Sequence, residues 1–427
     1  MKLWEEKDKK RNEIIDQFTV GKDRYYDTLL AKYDCKASIA HSKMLAKVNI
    51  LSKNESDKLN KVLNEIIGEI KKGEFKIEDE FEDMHSKIEF VLVQKLGDLG
   101  KKIHTARSRN DQVLVAIQLF VKDELNSIKK EIHSLFNILI KLSEKYKSFI
   151  IPGYTHMQLA MPSSFGLWFS AYAETLIDDV ISINNTLSIV DQNPLGSAAG
   201  YGTSFPIDRK STTKSLNFSE LKYNSLAAQI SRGKIEKQTL SAISSISSTL
   251  SKFCMDICLY MGQDFNFISF PENLTTGSSI MPHKKNPDIF ELVRGKCNII
   301  QSLPNQINLL TTNLPSGYHR EMQLTKAPLI ESINEIKSCL KIFNHSIKKI
   351  IINKNIIDNP KYDYLFTVDS LNKWVMQGIP FRDAYKKMKL EIKNKNYIPN
   401  KKLKHTHIGS IGNLNLNDIK MKMKKYY

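Results

Sequence analysis

From Lys101 to Ile151 the chain contains neither glycine nor proline. The two residues that most readily break a helix are therefore absent from a stretch long enough for many turns. Within it Val121, Leu125, Ile128, Ile132, Leu135, Leu139 and Leu142 recur in alternating steps of four and three. That is the apolar seam of a heptad pattern, and it predicts one long helix packed in a bundle.

Other helices are expected from about Ser163 to Asp191, from about Ser231 to Met261, after Pro287, and from about Lys326 to Asn353. Strand-like alternation is scarce, and hairpin dipeptides of the Asn-Gly kind are nearly absent. The expected fold class is all-α: a long central helical bundle over residues 106–354, with smaller helical domains at 1–105 and 355–427. A seam this long also points to continuation across a subunit interface, and so to an oligomer.

Composition excludes several classes. Of 427 residues, 41% are hydrophobic and 26% charged, ordinary values for a globular protein. No apolar run reaches membrane-spanning length, and the opening "MKLWEEKDKK" lacks the apolar core of a signal peptide. A cytoplasmic location without a membrane partner is expected. The five cysteines are odd in number and scattered, which favours free thiols. The net charge of +17 comes from lysines spread along the whole chain, without zinc-finger or RNP-type spacing, so no nucleic-acid partner is expected. His405 and His407 lack a carboxylate or cysteine at ligand spacing, and neither a metal nor a cofactor is expected.

Three polar segments interrupt the helical framework. "HTARSRNDQV" (104–113) sets Arg107, Ser108, Arg109 and Asn110 just before the long helix. Ser108 and Asp111 resemble a capping box, but arginines at the positive end of a helix call for an anion opposite. "PGYTHMQLAMP" (152–162) is bounded by prolines and carries Thr155 and His156 in a stiff loop between helices. "TTGSSIMPHKKNPD" (275–288) offers Gly277 for freedom of the backbone, the hydroxyls of Ser278 and Ser279, Lys284, and an Asn286–Pro287 helix start. A weaker set, "SGYHREMQLTK", holds Tyr318, Gln323 and Lys326.

Together these segments resemble the fumarase/aspartase superfamily, whose shared loop reads GSSxMPxKxNP. Within it "RSRNDQ", "EDMHSKIE", "PGYTHMQ" and "NPLGSAAGYGT" are similar to the argininosuccinate lyase family, in order along nearly the whole chain. The resemblance implies reversible cleavage of argininosuccinate to arginine and fumarate, the last step of arginine synthesis, without cofactor or metal. It also implies a homotetramer whose active sites are each assembled from three subunits. By family match, His156 and Ser278 form the general acid–base pair, with their order left open, and Glu291 is held against His156. Lys284, Asn286, Asn110 and Thr155 stabilise the doubly charged aci-carboxylate intermediate. Arg109, Tyr318, Gln323 and Lys326 hold the amino-acid end, and Ser108 bonds the fumarate part. Another fumarate-releasing lyase, such as adenylosuccinate lyase, or an inactive crystallin-like relative are the alternatives. Asp23 stands where the family commonly has a substrate-contacting serine. "ISRGKIE" stands where it has an acid-rich SDRD segment, keeping Arg232 but losing the acids. The C-terminal domain is also shorter than usual.

Overall fold

All seven residues of the heptad seam are buried, six of them without exposed surface. They lie on one unbroken helix, Arg109–Tyr146. The structure, a computed structural model, describes residues 13–427; the opening "MKLWEEKDKK" lies outside the described residues. In chain order the main elements are α1 (Asp23–Lys47), α2 (Lys53–Lys72), α3 (Met84–Leu96), α4 (Arg109–Tyr146), β1 (Ile150–Thr155), β2 (Gln158–Ser164), α5 (Phe165–Val190), α6 (Lys234–Met261), α7 (Asp288–Ile300) and α8 (Lys326–Ile347). The chain is all-α in class, since strands amount to three short pairs among the described residues. It divides into two compact units. The first runs through Ile128 and adds Ser182–Ser244 and Ile300–Glu335; the second takes Lys129–Ile181, Ser245–Ile299 and Ile336–Tyr427. Helices α4, α5, α6 and α8 contribute residues to both, and α7 does so by its last residue, Ile300.

In the first unit, α1 packs on α2 and α3. A capping box starts α2: the Ser52 hydroxyl accepts the Glu55 N–H, and the Ser52 N–H donates to the Glu55 carboxylate. Gly73, at φ +74°, ends the helix in the left-handed conformation that glycine adopts without strain. Asp83 caps α3 by accepting the Ser86 N–H at 2.8 Å. The buried Asp111 accepts the Ser108 N–H at 3.0 Å with one oxygen, and the Gly196 and Ala198 N–H groups at 3.0 and 3.1 Å with the other. One carboxylate thus closes the start of α4 and anchors the "NPLGSAAG" loop. Only half of the expected capping box forms there, because the Ser108 Oγ accepts from Asn110 N–H rather than from Asp111 N–H.

In the second unit, Trp168 and Tyr172 on α5 both donate to one oxygen of Asp256 on α6, at 3.0 and 2.7 Å. Phe253 stacks on Tyr172 with ring centres 4.0 Å apart. The segment expected as a stiff loop, 152–162, is instead a β-hairpin with Thr155 opposite Gln158. Its turn is His156–Met157, at φ +52° and +59°. Both central residues sit in the left-handed region, as a two-residue hairpin turn that follows strand twist requires. After residue 355, helices Thr367–Met376 and Phe381–Lys393 pack through Leu371, Ala384 and Met388. Among the described residues, no helix is long and apolar enough to cross a membrane, and all five cysteines are free.

Candidate active site

Asp23 and Asp27 stand four apart at the start of α1, so they share a helix face. Lys326, the first residue of α8, reaches both: its Nζ donates to Asp27 Oδ1 at 2.7 Å and Asp23 Oδ2 at 2.9 Å. Burial alone would push the Lys326 ammonium down, but Asp27 and Asp23 together hold it above its usual range. Burial pushes the Asp23 carboxyl up even with Lys326 beside it. An acid left costly in this way favours a further cation.

The turn before α3 supplies two more carboxylates. Arg109 NH1 meets Glu82 Oε2 at 2.8 Å and Asp83 Oδ2 at 3.1 Å, and its NH2 donates to Ser86 Oγ at 2.9 Å. The anion that an arginine at a helix start calls for is therefore present within the chain. Arg107 is buried and turned away, donating to Ser38 at 2.8 Å. Arg320 binds the second oxygen of Glu82 at 3.2 Å, and both Arg320 and Gln323 donate to the Thr19 carbonyl. Burial opposes ionisation of Asp83, yet His85, Arg109 and the Ser86 N–H keep its carboxyl below the usual range. Asn110 and Tyr318 complete the lining, with the Tyr318 ring 5.6 Å from the Arg232 guanidinium.

These residues surround a cavity of about 130 Å³. Asp23, Asp27, Glu82 and Asp83 face Arg109, Arg232, Arg320 and Lys326, with His85 beside them. Equal numbers of fixed carboxylates and cations at close range suit a ligand that carries both an ammonium and a carboxylate. Of the residues singled out in the sequence, Asp23, Arg109, Asn110, Tyr318, Gln323 and Lys326 meet here, whereas Ser108 does not line the cavity. Asp27, Glu82, Asp83, His85 and Arg320 had no assigned role. The "EDMH" run could have revealed three of them, as two carboxylates at a helix cap with arginines elsewhere to match.

The second unit holds the other group. Thr276 and Asn286 pair through backbone bonds of 2.8 and 3.4 Å, closing the loop between them at its neck. The Thr276 hydroxyl also bonds Asp288. The Ser278 Oγ accepts the Met281 and Ile280 N–H groups at 3.1 and 3.4 Å. Two backbone N–H groups thus point at the serine oxygen. Helix α7 begins one residue beyond the expected start: the Pro287 carbonyl takes the Glu291 N–H at 3.1 Å, and the Asn286 amide points back to Thr276 and Gly277. Gly277 meets nothing and has no positive φ, so its lack of a side chain answers no local crowding. Lys285 pairs with Glu272 at 3.0 Å.

Lys284, Asn286 and Glu291 line a cavity of about 970 Å³ with His283. Thr155, His156 and Ser278 do not line it. No hydrogen bond or ion pair among the described residues joins His156 to Ser278 or Glu291. His156 and Thr155 are exposed at the hairpin tip, and Lys284 and Glu291 are exposed as well. No group of three or more His, Cys, Asp or Glu among the described residues could hold a metal ion; His405 bonds Asp369 at 2.7 Å.

The fold is that of the helical lyases. EDDS lyase in complex with formate superposes with a TM-score of 0.80 at 18% identity, over 96% of this chain and 90% of that one. Class II fumarase from Schistosoma mansoni gives 0.75 at 19% identity, over 89% and 88%. The profile of the family described as Lyase matches residues 5–302. Argininosuccinate lyase of Phocaeicola vulgatus is 50% identical over 413 residues, 97% of this chain and 92% of that protein. That of Thermotoga neapolitana is 42% identical over 385 residues, 90% and 96%. The chain belongs to the argininosuccinate lyase family.

Proposed function

We propose that the chain is an argininosuccinate lyase, cleaving argininosuccinate reversibly to arginine and fumarate at the end of arginine biosynthesis. The observation that carries the chemistry is the Ser278 Oγ, which accepts two backbone N–H groups in a loop that also presents Lys284. Ser278, as the alkoxide, removes the proton next to the succinyl carboxylate. The electron pair becomes a doubly charged aci-carboxylate, held by Lys284, Asn286, Asn110 and Thr155. The carbon–nitrogen bond then breaks, and His156 returns a proton to the departing guanidino nitrogen, with Glu291 against its ring. The charge-balanced cavity takes the α-ammonium and α-carboxylate of the arginine end, through Asp23, Asp27, Arg109, Tyr318, Gln323 and Lys326, while Ser108 bonds the fumarate part.

His156 and Glu291 stand exposed, Ser278 is half-buried, and no hydrogen bond or ion pair links the three within one chain, which supports a site completed by other subunits. Leu292 and Ile299, exposed apolar residues seven apart on α7, support a homotetramer. A cytoplasmic setting follows from the reaction and agrees with the free thiols.

The test is direct. Purified protein with argininosuccinate raises ultraviolet absorbance as fumarate forms, and Ser278→Ala lowers kcat roughly 10²–10⁴-fold with the fold intact. A wild-type protein that releases no fumarate overturns the reading. Release from adenylosuccinate instead would assign another member of the superfamily.

A further inference from the structure

A separate cavity of about 400 Å³ in the first unit is lined by Arg232, Lys234 and Lys237 at one side and by Asn308, Thr311 and Ser316 among its neutral groups. No carboxylate lines it. Lys234 is exposed and has no ion-pair partner among the described residues. Lys237 donates to Asn308 Oδ1 at 2.7 Å, a neutral acceptor that leaves its charge uncompensated. Arg232 is only 4% exposed; it donates to the Met322 carbonyl at 3.1 Å, and its Nε has no partner. A buried donor left unmade costs free energy that a ligand can recover. The nearest acid in sequence, Glu236, is buried and turned to the Gly233 N–H and the Thr325 hydroxyl, at 2.6 and 3.3 Å.

This arrangement follows from the chain's own sequence. "ISRGKIE" places Ser231 and Gly233 on either side of Arg232, so neither sequence neighbour of the guanidinium carries an acid. Gly233, at φ +82°, leaves room that a Cβ would lose by approaching Thr311 Cγ2 to 2.7 Å.

We propose that this cavity binds a small multivalent oxyanion, phosphate in free form or as the phosphoryl group of a mononucleotide, through Lys234, Lys237 and Arg232. Arg232 also lines the charge-balanced cavity and lies over Tyr318. The bound anion therefore steadies the Tyr318–Lys326 segment from behind. The site does not depend on which reaction the enzyme performs.

Calorimetric titration of the full-length protein with inorganic phosphate and with AMP, at matched ionic strength, tests it. Saturable binding, roughly a hundredfold weaker in the double variant Lys234→Ala/Lys237→Ala, is expected, since each charge-assisted bond contributes about tenfold. Tighter AMP than phosphate identifies a nucleotide as the source; equal or weaker AMP identifies free phosphate. Lys237→Gln, which keeps a donor for Asn308, guards against a folding defect and weakens binding in the same direction. No saturable binding of either probe, or unchanged affinity in both variants, overturns the proposal.

Discussion

Lys326 Nζ sits 2.7 Å from Asp27 Oδ1, and hardly any of either side chain meets solvent, 6% and 1%. Asp27 also accepts the Met84 N–H at 3.2 Å, so one carboxylate ties α8 and the start of α3 to α1. Removing it leaves a buried ammonium and a buried N–H short of partners. Asp27→Ala should therefore cost about 3–5 kcal/mol. Asp23→Ser should cost clearly less, because Asp23 is more open, at 14% side-chain exposure, and Asp27 keeps its bond. Urea unfolding of the two variants measures the difference. Equal midpoints would show that Asp27 is not the anchor.

The seam on α4 was legible because burial on a helix imposes a period, and all seven predicted positions are buried. The hairpin at 150–164 was not legible. Its turn is His156–Met157 rather than an Asn-Gly pair, and prolines face each other across it at Pro152 and Pro162. Local preference argued against a conformation that tertiary structure enforces. The partners of Arg109 were also hidden. Glu82 and Asp83 are close to one another in sequence but 27 and 26 residues from the arginine they neutralise, a pairing no local pattern announces.

The strain in that hairpin gives a second prediction. Met157 is 68% exposed and holds φ +59°, a conformation that costs a non-glycine residue about 1 kcal/mol. Met157→Gly relieves it without touching His156, so the melting temperature should rise slightly while kcat changes little. His156→Asn accepts the same left-handed backbone, and its stability should match wild type while fumarate release collapses. Thermal melts beside steady-state rates give both readouts. A parallel loss of stability and rate in His156→Asn would make the histidine a structural residue.

Stability should respond to pH through two buried histidines in different windows. Burial, with Arg107 nearby, holds the His41 imidazole down at about 3, and its Nε2 meets the Thr105 carbonyl at 2.9 Å. The unfolded chain binds that proton near pH 6.5, so stability falls as pH drops from there toward 3, by an amount on the order of a few kcal/mol. For His85, burial works against the charge, but Asp34, Asp83 and Asp27 raise its pKa above the ordinary value. Its contribution is complete below about pH 6.5 and is lost as pH rises through the raised value. Unfolding midpoints against pH should flatten on the acid side in His41→Gln, which keeps a donor for Thr105. They should flatten on the basic side in His85→Gln. An acid limb identical to wild type in His41→Gln would remove that histidine as its cause.

Leu292 and Ile299 project from α7 with 62% and 68% of their surface exposed, seven residues apart on one helix face. Gly295 between them has open space around it. An apolar stripe on a helix that also carries Glu291 is costly in water and fits the contact of one bundle helix with another. Leu292→Lys/Ile299→Lys places two charges on that face and leaves the buried Phe290, Val293 and Cys297 in place. The chain should keep its helical circular dichroism, while light scattering shows the particle mass falling toward one subunit. Fumarate release should fall with it, because His156, Ser278 and Glu291 stay apart when the chain is alone. A lysine variant that remains fully assembled would exclude this face from the interface. A dissociated variant that keeps its turnover would show that one subunit completes the site by itself.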